Sequence, residues 1–393
     1  MSKNKWVNIH IILELAVIAV IIVMLTHPVD GKDYRRYETD TLNYVRATVQ
    51  DVISEELEES PLQTGQQLGV QTVLVELSDG STIEIDNYLT ETHNIFVKEG
   101  QKIIVCADVP ENADPYYTVY NYDRIPGLVC LAVVFLGLML AVGRRKGADA
   151  ALAILFTLIM ILRITLPAVY NGISPVGMGF LTVICATAVT LLLLQGITVQ
   201  SGLGIGVTIL GESAACILFA IFSGILHLTG FQTDDAEGLL LIAQNTGLNV
   251  RTLLFAGAMI ASLGAVMDVA VSILSALREV ASASKTTSRH ELFQAGMNIG
   301  CDMIGTMSNT LIFAFAGSAL TTMLVFYSYG VQFQQLLSSD YLTVELAQGL
   351  CSTAAVILTV PAAALVGAVA MADSRSDGRR EKIDGVQKAV RRK

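Results

Sequence analysis

The chain is poor in charge. Only 15% of its 393 residues are Asp, Glu, Lys or Arg, against about 25% in ordinary soluble domains. With 53% hydrophobic residues, that scarcity excludes a conventional water-solvated fold and leaves a membrane protein. Basic residues interleaved with aromatics are missing, which excludes nucleic acid as a partner. The six cysteines show no CxxC and no Cys/His spacing, so neither a disulfide framework nor a zinc site is expected. HExxH, a P-loop and a nucleophile elbow are all absent, so the common hydrolase and nucleotide-dependent chemistries have no anchor. No cofactor, metal site or enzymatic activity is expected.

What is abundant is long apolar sequence. Runs at about 8–26, 125–143, 147–167, 174–194, 203–228, 252–276, 303–328 and 348–372 approach or exceed the ~20 residues needed to cross ~30 Å of hydrocarbon. Eight spans follow. The first comes after the short basic start MSKNKW and reads as an uncleaved signal anchor, because LTHPVDGK beyond it has no small-residue cleavage pattern. Arg144, Arg145 and Lys146, then Arg278, Lys285 and Arg289, then the tail from Arg375 all fall on the side of the N-terminus. The opposite loops LPAVYNGISP and YSYGVQFQQLLSSDYLTVELAQG contain no base, and Arg251 is the one dissenter. Both termini are therefore expected in the cytoplasm. The expected parts are an anchor helix (1–26), an extracytoplasmic domain (27–123), a seven-helix bundle (124–372) and a basic cytoplasmic tail (373–393).

The acidity is local. Residues 30–114 hold 18 Asp/Glu against 6 Lys/Arg, while the whole chain is −10. Within this insert YVRATVQDV alternates, QTVLVEL and STIEID flank the tight-turn signal SDG, and KIIVCAD and YYTVYNY follow. About five strands in under 100 residues predict a small barrel of OB-like or SH3-like kind. EELEES at 55–60 reads as an acidic loop or short helix, and AEGLLLIAQ at 236–244 as a helix along the outer interface. A rigid cap over the bundle and a ligand-binding module are both open for the β domain.

Charged groups inside spans need a reason, since each costs a few kcal/mol even on lenient scales. Asp268 and Glu212 both fall about four residues, ~6 Å, to the cytoplasmic side of their span midpoints. Asn309 and Thr310 lie five or six residues inward of theirs, and Glu14 about three. Asp268, Ser272 and Ser275 share one helix face; Asp302, Thr306 and Asn309 (or Thr310) share another. Gly264 and Gly305 allow close helix approach. Gly202, Gly204, Gly206 and Gly211 suggest a loosened entry to span five. The expected working site is a layer of Asp268, Glu212, Asn309, Thr310, Thr306, Asp302 and Ser272, with Gly264, Gly305, Gly206 and Gly211 as packing or hinge positions. Glu14 reads as a protonated or snorkelled packing residue, and Asp302 as a cap for span seven.

GAVMDVAVSILSAL (264–277) and GMNIGCDMIGTMSNTLIFAFAGS (296–318) resemble the YibE/F-like family of bacterial multipass membrane proteins. The likeness rests on a Gly-x-x-Met-Asp run joined, about thirty residues on, to Ile-Gly-x-Asp-x-x-Gly-Thr-x-x-Asn-Thr-Leu. It extends to the layout of one N-terminal span, an extracytoplasmic β domain and about seven further spans. It implies a cell-membrane protein and marks Asp268, Asp302, Gly305, Thr306, Asn309 and Thr310 as motif positions. Cys301 stands where the family pattern has arginine. The family is described at most as a presumed permease.

Two functions follow. One is a permease for a small solute or ion, proton- or cation-coupled through Asp268 and Glu212. The other is a non-transport protein whose β domain binds an envelope partner, with the bundle as anchor or relay. An intramembrane aspartyl protease using Asp268 and Asp302 is disfavoured, because Gly300-Cys301-Asp302 lacks a glycine of Gly-x-Gly-Asp and the two carboxyls are expected seven to nine residues apart in depth. The bilayer is the expected partner, and a homo-oligomer is compatible with the sequence.

Overall fold

A computed structural model describes residues 3–27, 41–62, 64–110, 114–230, 236–283 and 288–390. The chain divides into two units, Arg35–Met139 and Met1–Tyr34 with Leu140–Lys393.

The first unit is built on a curled antiparallel sheet. Strands β1 (Leu42–Glu59), β2 (Gln67–Leu77), β3 (Thr82–Leu89), β4 (Lys102–Asp108) and β5 (Tyr116–Tyr122) are ordered β3-β2-β1-β4-β5. The outer strands β3 and β5 also approach each other. Alternation supplies the core: Val49, Val73, Val75, Ile85, Ile103 and Val105 are buried, each on the inward face of its strand, and Val97 joins them from the segment before β4. Two buried amides pin the segment before β4. Gln71 Nε2 donates to Val97 O (3.1 Å) and Gln71 Oε1 accepts from Val97 N (3.0 Å). Asn87 Nδ2 donates to Ile95 O (2.8 Å).

The acidic run Glu55–Glu59, expected as a loop or helix, instead prolongs β1. It pairs with β2 from Glu55↔Gln71 to Glu59↔Gln67 after register shifts between Val49/Asp51 and Val52/Ser54. The bulges bend the strand, and carboxylates on its open face stay in water. Gly69 (φ +130°) makes this crossing feasible, because a Cβ there would run into Glu56 O.

The other unit is helical, with Ile125–Met139 at the start of α2 counted in the sheet-bearing unit. The helices are α1 (Lys3–Thr26), α2 (Ile125–Met160), α3 (Leu166–Tyr170), α4 (Pro175–Gln195), α5 (Val199–Ile225), α6 (Ala236–Thr246), α7 (Val250–Ala283), α8 (Arg289–Ser328), α9 (Phe333–Leu337) and α10 (Asp340–Val390), with a π-helical turn at Ile161–Thr165. Among the described residues, seven helical stretches are long and apolar enough to cross a membrane, the longest being Ile125–Tyr170. That stretch has a non-helical residue, Arg144 (φ 48°, ψ −125°), in its RRK segment.

Three boundaries differ from expectation. Helix α8 starts at Arg289, some 14 residues ahead of the apolar run, because Ser288 and Glu291 form a capping box: Glu291 N donates to Ser288 Oγ (3.2 Å) and Ser288 N to Glu291 Oε2 (2.7 Å). Asp302 therefore lies well inside the helix and caps nothing. Helix α5 is unbroken despite its glycines, with Thr198 Oγ1 accepting from Ser201 N (3.1 Å) at its start. The basic tail continues α10 as helix through Val390. The core of this unit joins α5, α7, α8 and α10 through Val207, Val266, Val269, Ile273, Leu311, Val356 and Val360.

Candidate functional site

The most deeply placed carboxyl is Glu212, with no exposed surface. Its neighbour Gly211 lets α5 press against α7 and α10. A Cβ at Gly211 would meet Val266 Cγ1 at 2.8 Å and would overlap Thr359 Oγ1. Glu212 thereby reaches Ser262 on α7, whose Oγ lies 2.8 Å from Glu212 Oε2. The same Oγ lies 3.0 Å from Ala258 O and 3.2 Å from Met259 O. Ser352 Oγ of α10 donates to Ala258 O at 3.3 Å. Glu212 Oε1 is buried without a hydrogen-bond partner among the described residues.

Proton count constrains this arrangement. A serine hydroxyl has one hydrogen, and three oxygens surround that of Ser262. If Glu212 carries a proton, its O–H donates to Ser262 Oγ and Ser262 donates onward to Ala258 O, so each proton is used. If Glu212 is ionised, Ser262 must choose between the carboxylate and the helix carbonyls, and a negative charge is left in an apolar core.

Asp268 is elsewhere. Ser262 and Asp268 are six residues apart, about 120° around α7 at ~100° per residue. Ser262, Val266, Val269 and Ile273 face the bundle and are buried; Gly257, Ala261, Gly264 and Asp268 form an exposed stripe. The structure does not bring Asp268 to Glu212. Ser272 is half-buried, while Asp302, Gly305, Thr306, Asn309 and Thr310 lie on an exposed face of α8. Thr306 Oγ1 donates to Met303 O (3.0 Å) and Thr310 Oγ1 to Thr306 O (2.9 Å). A Cβ at Gly206, Gly264 or Gly305 would meet open space, so of the four singled-out glycines only Gly211 marks a close helix approach.

The register of α7 and α8 also corrects the expected depth of Asp302. A Cβ at Gly300 would lie 3.0 Å from Ile273 Cδ1, and one at Gly296 would lie 3.2 Å from Leu277 Cδ1. Each step up α8 thus matches one step down α7, and Asp268 stands level with Gly305. Asp302 is only three residues away, ~4.5 Å at helical rise. No hydrogen bond joins the two carboxyls among the described residues.

A second polar cluster was not anticipated. His10 Nδ1 lies 2.7 Å from Glu14 Oε1, and His10 Nε2 lies 3.0 Å from Leu193 O and 3.4 Å from Asp149 Oδ2. Arg145 Nη2 is 3.4 Å from Glu14 Oε1 and 3.1 Å from His10 Nδ1. Glu14 is therefore paired with His10 and Arg145 rather than standing alone among apolar neighbours. Asp149 is buried. His10, Glu14 and Asp149 offer ligand atoms within 4.8 Å of one another, a set that suits a divalent cation, but the Arg145 guanidinium already supplies positive charge there. His10, Arg145 and Asp149 line a cavity of about 470 Å³ shared with Lys146 and Gln195. The His10/Glu14 i, i+4 spacing was the available signal. The link to Asp149 needed the tertiary fold.

The model of the YibE/F-like protein family matches residues 131–373, well over half of the chain. The chain belongs to the YibE/F-like family. That membership and the apolar helices together support a multi-pass membrane protein. No curated protein and no solved structure matches the chain.

Proposed function

We propose that this YibE/F-like protein is a permease of the bacterial cell membrane, and that Glu212 is the group through which proton movement is coupled to a small solute. The observation that carries this reading is the buried Glu212–Ser262 pair, with Glu212 Oε1 lacking a hydrogen-bond partner among the described residues. A carboxyl held by one hydroxyl and surrounded by apolar packing is cheap to keep neutral and costly to ionise. Such a group changes charge only when a proton path or a cation reaches it. The proposal involves no covalent step and no cofactor.

In this reading α2 crosses twice, turning at Arg144, which gives eight crossings and leaves both termini and the basic segments in the cytoplasm. The sheet domain is then extracytoplasmic. Asp268, which the sequence paired with Glu212, has no part in the coupling step because it lies on the exposed side of α7.

The test is proton flux. Proteoliposomes containing the purified protein and an entrapped pH-sensitive dye are challenged with a solute library. A solute that moves protons through the wild type and not through Glu212→Gln supports the proposal. Solute uptake that is independent of pH and undiminished in Glu212→Gln refutes it.

One observation favours the second reading, a binding role for the sheet domain. A cleft of about 310 Å³ between β3 and β5 is lined by Asp86, Tyr88, His93, Cys106 and Tyr120, and Tyr44 stacks edge-on against Tyr120 at 4.8 Å. Deleting residues 30–122 separates the readings. Loss of envelope-partner capture with unchanged flux would assign the function to this domain.

A further inference from the structure

The exposed stripes of α7 and α8 pose a separate problem. Asp268 and Asn309 have no side-chain hydrogen bond among the described residues, and both are exposed within membrane-length helices. Hydrocarbon satisfies neither a carboxyl nor an amide. Threonine is different, since Thr306 and Thr310 bond to carbonyls of their own helix. Something must cover Asp268 and Asn309.

We propose that a second copy of this chain covers them, in a twofold dimer in which α7 of each copy packs on α8 of the other. The two stripes are complementary. On α7 the stripe places Gly264 four residues before Asp268; on α8 it places Gly305 four residues before Asn309. Because α8 runs level with α7 in reverse order, Asp268 stands at the height of Gly305 and Asn309 at the height of Gly264. A twofold axis along the membrane normal keeps every residue at its own height. Asp268 of one copy therefore meets the other copy's Gly305, and Asn309 meets its Gly264. Each long polar side chain opposes a position where a Cβ would touch nothing in the lone protomer. Small residues at such a seam let backbones approach closely. One helical turn, ~6 Å, separates the two levels, so an Asn309 amide can donate to the Asp268 carboxyl of the other copy. Lipid offers no such match, and an unrelated helix would need it only by accident.

The experiment is subunit counting in lipid bilayers by single-molecule photobleaching, across a dilution series, on full-length protein. Wild type is expected to show dimers that dissociate on dilution. Gly264→Ile and Gly305→Ile should each weaken dimerisation about tenfold or more, a loss of ~1.4 kcal/mol or more. Their thermal stability as protomers should hold, because the added side chains enter open space. As a positional check in a cysteine-free background, Gly264→Cys on one tagged copy and Asn309→Cys on another should form a cross-tag disulfide under oxidant. Ile217→Cys, exposed on α5, should not link to Asn309→Cys. A wild type that stays monomeric at all densities overturns the proposal, and so does a dimer that both isoleucine variants leave intact.

Discussion

Ser262 Oγ, on α7, lies 2.8 Å from Glu212 Oε2, on α5, and it is the only hydrogen-bond partner that Glu212 has among the described residues. The pair ties two helices together inside an apolar core. Removing one member therefore tests the other. Ser262→Ala leaves both carboxyl oxygens buried without a partner and should destabilise the protein by about 1–3 kcal/mol. Denaturant or thermal unfolding in detergent measures this. Glu212→Gln keeps a donor for Ser262 and should cost less than Ser262→Ala.

The glycines of α5 should separate cleanly. Gly211→Val has no room beside Thr359 and Val266 and should destabilise by about 1–3 kcal/mol, the usual range for overpacking. Gly206→Ala meets nothing within 4 Å and should be neutral or stabilise by up to about 1 kcal/mol through helix propensity. Melting temperatures of the two variants, read side by side, check the contrast.

In the sheet domain, Gln71→Leu should release the segment before β4. Val97 loses partners for both its N–H and its C=O, at about 1–3 kcal/mol for each buried group left unpaired. Hydrogen exchange at residues 95–97 of the full-length protein should speed up, while the β1–β2 ladder around Val73 stays protected.

One carboxyl of the β2–β3 turn gives a pH test. Asp79 Oδ1 accepts from Ser81 Oγ (2.6 Å) and Ser81 N (2.9 Å), and the serine hydroxyl first, then its N–H, holds the Asp79 carboxyl below the ordinary aspartate value. A depressed folded value means the turn gains stability above the unfolded aspartate pKa and loses it as pH falls through the folded one. Ser81→Ala should move the Asp79 titration midpoint upward, as followed by carboxyl-carbon NMR.

How much of this was legible in the sequence depends on what sets each feature. Apolar run length fixes span position, so α4, α5 and α7 start within a few residues of expectation. Alternation fixes strands, so all five strands appear where predicted. Position along a helix follows from rise per residue, and Glu212 falls within the membrane-length helix α5. Azimuth does not. Whether Asp268 faces the bundle depends on which neighbours α7 has, and only the fold supplies them. The early start of α8 was hidden because its cap, Ser288 and Glu291, is polar and lies outside any apolar run. The acidic end of β1 was misread because Glu is a poor strand former; pairing with β2 overrides that preference. The cluster of His10, Glu14 and Asp149 needed contacts spanning well over 100 residues.

In the proposed coupling step Glu212 is neutral at rest and changes protonation when solute moves. Infrared difference spectroscopy of the reconstituted protein at neutral pH tests it most directly. The expected result is a protonated-carboxyl C=O band that is absent in Glu212→Gln and that bleaches when a transported solute is added. A spectrum in which Glu212→Gln removes only ionised-carboxylate intensity would contradict it.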